Sequence, residues 1–255
     1  MGQTSEGATG PEGPSAAMPG PGPRAITWSG FGREMGLILL VGGAVWLLFA
    51  FLIHPAIGWP KLAPVPARTM VIVAVIWWLM RQRGESFRDL GLGRPNKLWL
   101  AGVLGFAFLL ANLLIFGPLF AELRDALGVA PSDQSFFDPL YGNLPLYLMW
   151  LTLAWAAGGF AEEIFFRGYL LNRVAALLGG QRLGWTLAVL AQGALFGLGH
   201  AYAGYGGVIT IGLSAVLSGV YYLVAGRNLW PLIFLHGAWD SLGLTLLYLK
   251  GVPDF

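Results

Sequence analysis

The chain has 255 residues, with 15 Lys and Arg and 13 Asp and Glu, so 11% carry charge against about 25% in soluble domains. With 56% hydrophobic residues and a mean hydropathy of +0.66, it is expected to reside in a membrane. The absence of Cys excludes disulfides, thiolate catalysis and Cys-held metals, and a net charge of +2 without a basic stripe excludes nucleic acid as a partner.

Residues 1–26 are rich in Gly and Pro, with six Gly and five Pro in the first 24 positions. Such a segment buries too little apolar surface to order, and a disordered tail is expected. The start MGQTSE departs from a myristoylation signal, because Glu6 stands where Ser or Thr is needed. The first apolar run lies too far in and is too long for a signal peptide. No charge falls in 35–60, 98–121, 139–161 or 183–226, and 228–249 holds only Asp240. Each run reaches the roughly 20 residues that cross a bilayer.

These runs predict an all-α polytopic transmembrane bundle of seven or eight helices. Seven are placed near 35–54, 63–81, 98–120, 145–166, 184–202, 207–225 and 231–249. The second is the weakest, since Arg68 and Arg81 must snorkel at its two ends, and an interfacial hairpin is the alternative. The fifth and sixth divide at AYAGYGG, 201–207, a Gly-rich turn. The chain thus reads as the tail 1–26, a region 27–144 with three helices and an acidic loop, and a core 145–250 with four helices.

Sorted by side, 11 Lys and Arg accompany the N-terminus and loops 2/3, 4/5 and 6/7, and four lie opposite. The positive-inside rule then puts the N-terminus in the cytoplasm, in an integral protein of the cell membrane. The acidic loop between helices 3 and 4 agrees. Small-x-x-x-small pairs at Gly193 and Gly197, Ser214 and Ser218, and Gly237 and Ser241 predict close contact among helices 5, 6 and 7.

Ionisable side chains at membrane depth are costly and mark function by default. Here they are Glu162, Glu163 and Arg167, then His200, then His236 and Asp240. Glu163 and Arg167 are four apart, acid before base, and neutralise one another on one helix face, which by itself is a structural pairing. Glu162 is rotated about 100° away and has no basic partner at helical spacing, so it is free to act as a general base. His236 and Asp240 also share a helix face. His54, at the end of helix 1, reads as an interfacial anchor. Two adjacent acids, two His and one Asp on three helices offer the groups that activate water. An intramembrane hydrolase, a proton-coupled transporter and a non-catalytic membrane scaffold or immunity protein all use such residues. The absence of paired inverted repeats counts against the transporter.

These residues resemble the CPBP family, the CAAX-protease and bacteriocin-processing (Abi) intramembrane proteases that include the type II CAAX prenyl endopeptidases. The Glu-Glu-x-x-x-Arg motif stands as Glu162-Glu163-Ile-Phe-Phe-Arg167, Phe-x-x-x-His as Phe196-Gly-Leu-Gly-His200, and His-x-x-x-Asn/Asp as His236-Gly-Ala-Trp-Asp240. The stretch FRDLGLGRP, 87–95, looks like a segment that often precedes the family core. The resemblance implies a membrane-embedded cavity between the later helices and hydrolysis of a membrane-associated, prenylated or leader-bearing peptide.

Carried over, Glu162 activates water with His200 beside it, His236 and Asp240 complete the site, and Glu163, Arg167 and Phe196 support it. Asp240 stands where the prenyl proteases have Asn, and an ionised Asp cannot donate to an oxyanion. A Zn²⁺ ion held by His200, His236 and Asp240 and a metal-free glutamate and histidine mechanism are both compatible with the resemblance. One conflict remains. With the predicted ends, His200 sits at a different depth from Glu162, unless helix 5 begins later or helix 4 crosses later.

Overall fold

The computed structural model describes residues 26–53, 64–93 and 98–252. The expected tail, except for Ile26, and His54 lie outside these residues. Among the described residues there are seven long helices and no strand: α1 (Trp28–Ile53), α2 (Pro64–Gln82), α3 (Leu98–Ala126), α4 (Leu144–Leu177), α5 (Arg182–Gly199), α6 (Gly204–Val224) and α7 (Trp230–Lys250). The all-α membrane bundle expected from the charge-free runs is what forms. Five helices, α1, α3, α4, α6 and α7, are long and apolar enough to cross a membrane. The protein is an integral membrane protein. α2 and α5 fall outside that set, and both begin or end on Arg-bearing turns.

α4 differs most from the sequence reading, because it continues eleven residues past position 166 to Leu177. Asn143 caps its start by accepting from the Leu146 N–H at 3.2 Å. Its end is set by Gly179 and Gly180, at φ +83° and +65°, a conformation that Gly adopts without steric cost. The widened turns of α4 also escape a pattern read at 3.6 residues per turn. Residues 154–162 and 164–171 are π-helical, with Glu163 between them, and such widened turns recur at functional sites.

α7 runs antiparallel to α4, and three side-chain contacts fix the register. The Tyr147 hydroxyl meets Thr245 Oγ1 at 2.9 Å, Trp155 Nε1 donates to Ser241 Oγ at 3.0 Å, and His236 meets Glu163. The approach is close because Gly237 lies under the Trp155 ring, where a Cβ would come within 2.5 Å of a ring atom. The small pair Gly237 and Ser241 therefore faces α4. This corrects the expectation that helices 5, 6 and 7 pack on one another. α5 and α6 do meet closely, since a Cβ on Gly197 would lie 2.5 Å from the Val208 carbonyl oxygen. Ser218 instead turns back to the Ser214 carbonyl in its own helix, and the partner chosen by α7 is α4.

Charged pairs absent from the sequence reading tie the first helices to the core. Glu34 of α1 accepts from Arg83 Nε at 2.7 Å and from the Tyr169 hydroxyl of α4 at 2.5 Å. Arg173 of α4 grips Glu85 with both terminal nitrogens. The 87–93 segment docks on the turn between α6 and α7: the Tyr222 hydroxyl donates to the Leu90 carbonyl, the Leu229 N–H to that of Gly91, and Trp230 Nε1 to that of Gly93.

Gly237→Ala is expected to lower the unfolding midpoint in detergent, by the roughly 1–3 kcal/mol of an overpacked core. Gly102→Ala, with open space around its Cβ position, should leave the midpoint unchanged or slightly raised, and equal midpoints for the two variants would refute the close α4–α7 contact.

Candidate active site

Glu163 lies in the middle of α4 and is sealed, with 1% of its side chain exposed, as is Arg167 at 2%. Its Oε1 accepts from Arg167 Nη1 at 2.9 Å and meets His236 Nδ1 at 2.8 Å. The pairing with Arg167 is the one expected from the four-residue spacing. The bond to His236 was not legible, because it joins residues 73 positions apart on different helices. It fixes the imidazole, and since a carboxylate only accepts, Nδ1 carries the proton and Nε2 is left to face the other way.

Nε2 faces the remaining two acids. Glu162 Oε2 lies 4.0 Å and Asp240 Oδ2 3.6 Å from it. These carboxylates are about one-third exposed, at 31% and 33%, whereas Glu163 and Arg167 are closed off. Gly158 makes the space: a Cβ there would lie 2.8 Å from Asp240 Oδ2 and 3.4 Å from His236 Nε2. That glycine was missed by the sequence reading, although its position one turn before Glu162, in GGFAEE, is a signal that could have found it.

His200 caps α5, and its Nδ1 lies 2.8 Å from the Phe196 carbonyl oxygen. A carbonyl is an acceptor only, so Nδ1 donates and a neutral His200 presents Nε2 as an acceptor. The depth conflict disappears once α4 is taken at its full length. The rings of Phe166 and Phe196 touch at 4.7 Å between centroids. Four residues back along α4 and four forward along antiparallel α5 lead to Glu162 and His200, which are therefore level. The longer α4, which ends at Leu177, is what brings the two to one level.

Phe196 joins the parts. It stacks on His200 at 4.6 Å, meets the His236 ring edge-on at 6.1 Å, and lies under the Arg167 guanidinium at 4.7 Å. A cation over a ring face is partly compensated for lost water. All seven residues singled out in the sequence thus belong to one region where α4, α5 and α7 meet. Tyr202, on the turn after α5, was not anticipated; its ring lies 5.7 Å from His200 and 6.1 Å from Phe136 of the 135–140 turn.

Among the described residues, no three His, Asp or Glu side chains are gathered closely enough to hold a metal ion. His236 and His200 each engage Nδ1 in a hydrogen bond and keep Nε2 free, which leaves either imidazole able to ligate an ion. The donors as arranged are not gathered around one point, and the catalytic reading is built on these side chains alone.

Residues 144–242 match the family model described as type II CAAX prenyl endopeptidase Rce1-like. The matched segment begins with α4 and ends within α7, so it contains every motif residue. Over these residues, under half of its length, the chain is similar to this CAAX-protease family. No curated protein and no solved structure matches the chain.

Removing one partner from the sealed pair leaves an uncompensated buried charge, which costs about 3–5 kcal/mol. Arg167→Met is therefore expected to prevent recovery of folded protein or to lower its unfolding midpoint steeply, while Glu162→Gln changes the midpoint little. Size-exclusion profiles and thermal unfolding of the two variants side by side check this.

Proposed function

We propose that the chain is an intramembrane endopeptidase that hydrolyses a peptide bond of a membrane-associated peptide, with Glu162 activating the attacking water. The observation that carries this reading is the meeting of a partly open carboxylate with an imidazole whose other nitrogen is held by a sealed carboxylate and guanidinium pair. A packing role would not require the open carboxylates of Glu162 and Asp240 beside the anchored ring.

In the proposed step Glu162 takes a proton from water as the water oxygen bonds to the scissile carbonyl carbon. The carbonyl oxygen becomes an oxyanion. As the carbon–nitrogen bond breaks, Glu162 returns the proton to the departing amine, and an acid and an amine are released. His200, with Nε2 as acceptor, orients the water. His236 faces the developing charge with Nε2. Three carboxylates share the site with one permanent cation, Arg167, so a proton held within Glu162, His236 and Asp240 brings the site nearer neutrality in a medium that punishes net charge. When that proton is on His236, Nε2–H is the oxyanion donor. Asp240 then supports the imidazolium, a role an ionised carboxylate can fill where direct donation is closed to it.

The family description points to a prenylated peptide as the substrate class, delivered from the bilayer; a leader-bearing peptide is the alternative. Integration in the cell membrane with the N-terminus cytoplasmic is supported by the Lys and Arg distribution.

Glu162→Gln should lower cleavage of a prenylated peptide by about 10²–10⁴-fold, the range of a lost general base, with the unfolding midpoint retained. Cleavage at the wild-type rate by that variant would falsify the assignment. A further expectation follows from the donor geometry: wild-type turnover persists after exhaustive treatment with a chelator, and metal analysis of the active protein finds no stoichiometric Zn²⁺. Activity lost to the chelator and restored by Zn²⁺ would show that the donors regroup around an ion.

A further inference from the structure

A second polar region lies away from the reactive groups, at the end of the bundle formed by the α2–α3 segment, the α4–α5 turn and the α6–α7 turn. An open cavity of about 1200 Å³ lies there, lined among others by Glu85, Asp89, Arg173, Arg182, Trp185 and Arg227. Its acids are already engaged. Glu85 is gripped by Arg173, and Asp89 accepts from the Ser86 N–H at 2.7 Å and its hydroxyl at 3.0 Å. Arg182 and Arg227 have no carboxylate partner among the described residues.

The backbone at Arg227 is an independent sign. Its φ is +61°, the one left-handed residue other than Gly among the described residues, and it follows Gly226, which is also left-handed. Such a conformation is strained for a residue with a Cβ and persists only where the surroundings impose it. The Arg227 N–H donates to the Tyr222 carbonyl at 2.8 Å, and Gly91 presses against the Arg227 carbonyl. The guanidinium is thereby held 5.5 Å over the Trp185 ring, which lines the same cavity. A Gly at 227 would satisfy the turn without strain, so the Arg is there for its cation. Two unpaired guanidiniums and an indole at the end of the spans match a phosphate at headgroup depth. This is also the end of the bundle that collects most of the Lys and Arg.

We propose that this cavity binds a phosphate-bearing anion, and specifically the headgroup phosphate of an anionic phospholipid. The site is independent of the catalytic reading. The test reconstitutes the full chain in nanodiscs of phosphatidylcholine alone, of phosphatidylcholine with phosphatidylglycerol, and of phosphatidylcholine with millimolar inorganic phosphate outside. Native mass spectrometry reads retained lipid, and thermal unfolding reads stabilisation. The wild type should retain phosphatidylglycerol and unfold at a higher temperature in its presence. Arg182→Gln with Arg227→Gly should weaken that retention about tenfold or more, as expected for lost charge-assisted bonds to phosphate. Arg227→Gly relieves backbone strain, so its effect cannot be assigned to a damaged turn. Arg227→Lys, which keeps the charge, should retain part of the response. Stabilisation by inorganic phosphate equal to that by the lipid would support the site and make the free anion its ligand. Equal retention of phosphatidylglycerol by the wild type and the double variant, or no selectivity over phosphatidylcholine in the wild type, would overturn the proposal.

Discussion

One oxygen atom, Oε1 of Glu163, receives both the Arg167 guanidinium and the His236 imidazole, and the rest of the core is arranged around that fact. At membrane depth neither the carboxylate nor the guanidinium can be left to solvent, because none is there to take up the charge. The pair is therefore buried completely, and its third member has to come from another helix. That requirement sets how far α7 slides along α4. Gly237 and Gly158 follow from it: a backbone approach close enough for the imidazole to reach Glu163 leaves no room for a Cβ under Trp155 or beside Asp240. The same constraint turns Nε2 of His236 away from the sealed pair, towards Glu162 and Asp240.

The fold was legible in the sequence because its main signal, charge-free length, is local. Seven helices follow from where 28 charged side chains fall. The helix ends were less legible, for a physical reason. Leu144–Leu177 includes Glu162, Glu163, Arg167 and Arg173, and a reader of hydropathy stops the span near the first of them. The helix continues because those charges are consumed by partners: Arg167 by Glu163, and Arg173 by Glu85. Long-range pairing converts an apparently polar stretch into one that tolerates burial, and pairing at that separation leaves no trace in a window of residues. The same holds for Glu34, which looks like an ordinary charge at the edge of helix 1 and is in fact held by Arg83 and Tyr169.

The candidate site was legible as a set of residues but not as a set of connections. Spacing of four located Glu163 with Arg167 and His236 with Asp240, since i and i+4 are neighbours on a helix. It could not say that His236 bonds to Glu163 more closely than to Asp240, nor that Phe196 is the ring on which His200 and Arg167 both rest. Small-residue pairs announced close contact among helices 5, 6 and 7, and α7 turned its pair towards α4 instead. Composition alone does not carry that choice. It depends on which neighbour offers a group that must be buried, and α4 offers Glu163.

Adjacent residues of identical chemistry thus end in opposite roles. Glu162 and Glu163 have the same side chain and differ by one position on a helix, yet one is about one-third exposed and the other sealed at 1%. The difference is rotation about the helix axis, which turns one carboxylate towards Arg167 and the other towards the open side of the site. A carboxylate that is fully paired has its charge spent on holding structure and is poorly placed to exchange a proton with water. A carboxylate left partly open, with the His236 imidazole 4.0 Å away, keeps that capacity. The structural and the reactive functions therefore have to be carried by different residues, and placing them next to each other lets the anchored imidazole serve both. It is fixed through Nδ1 by the first acid and available through Nε2 to the second. Reversing the two roles would require turning the helix by a whole residue, which would take Arg167 out of its pair and leave two buried charges without partners.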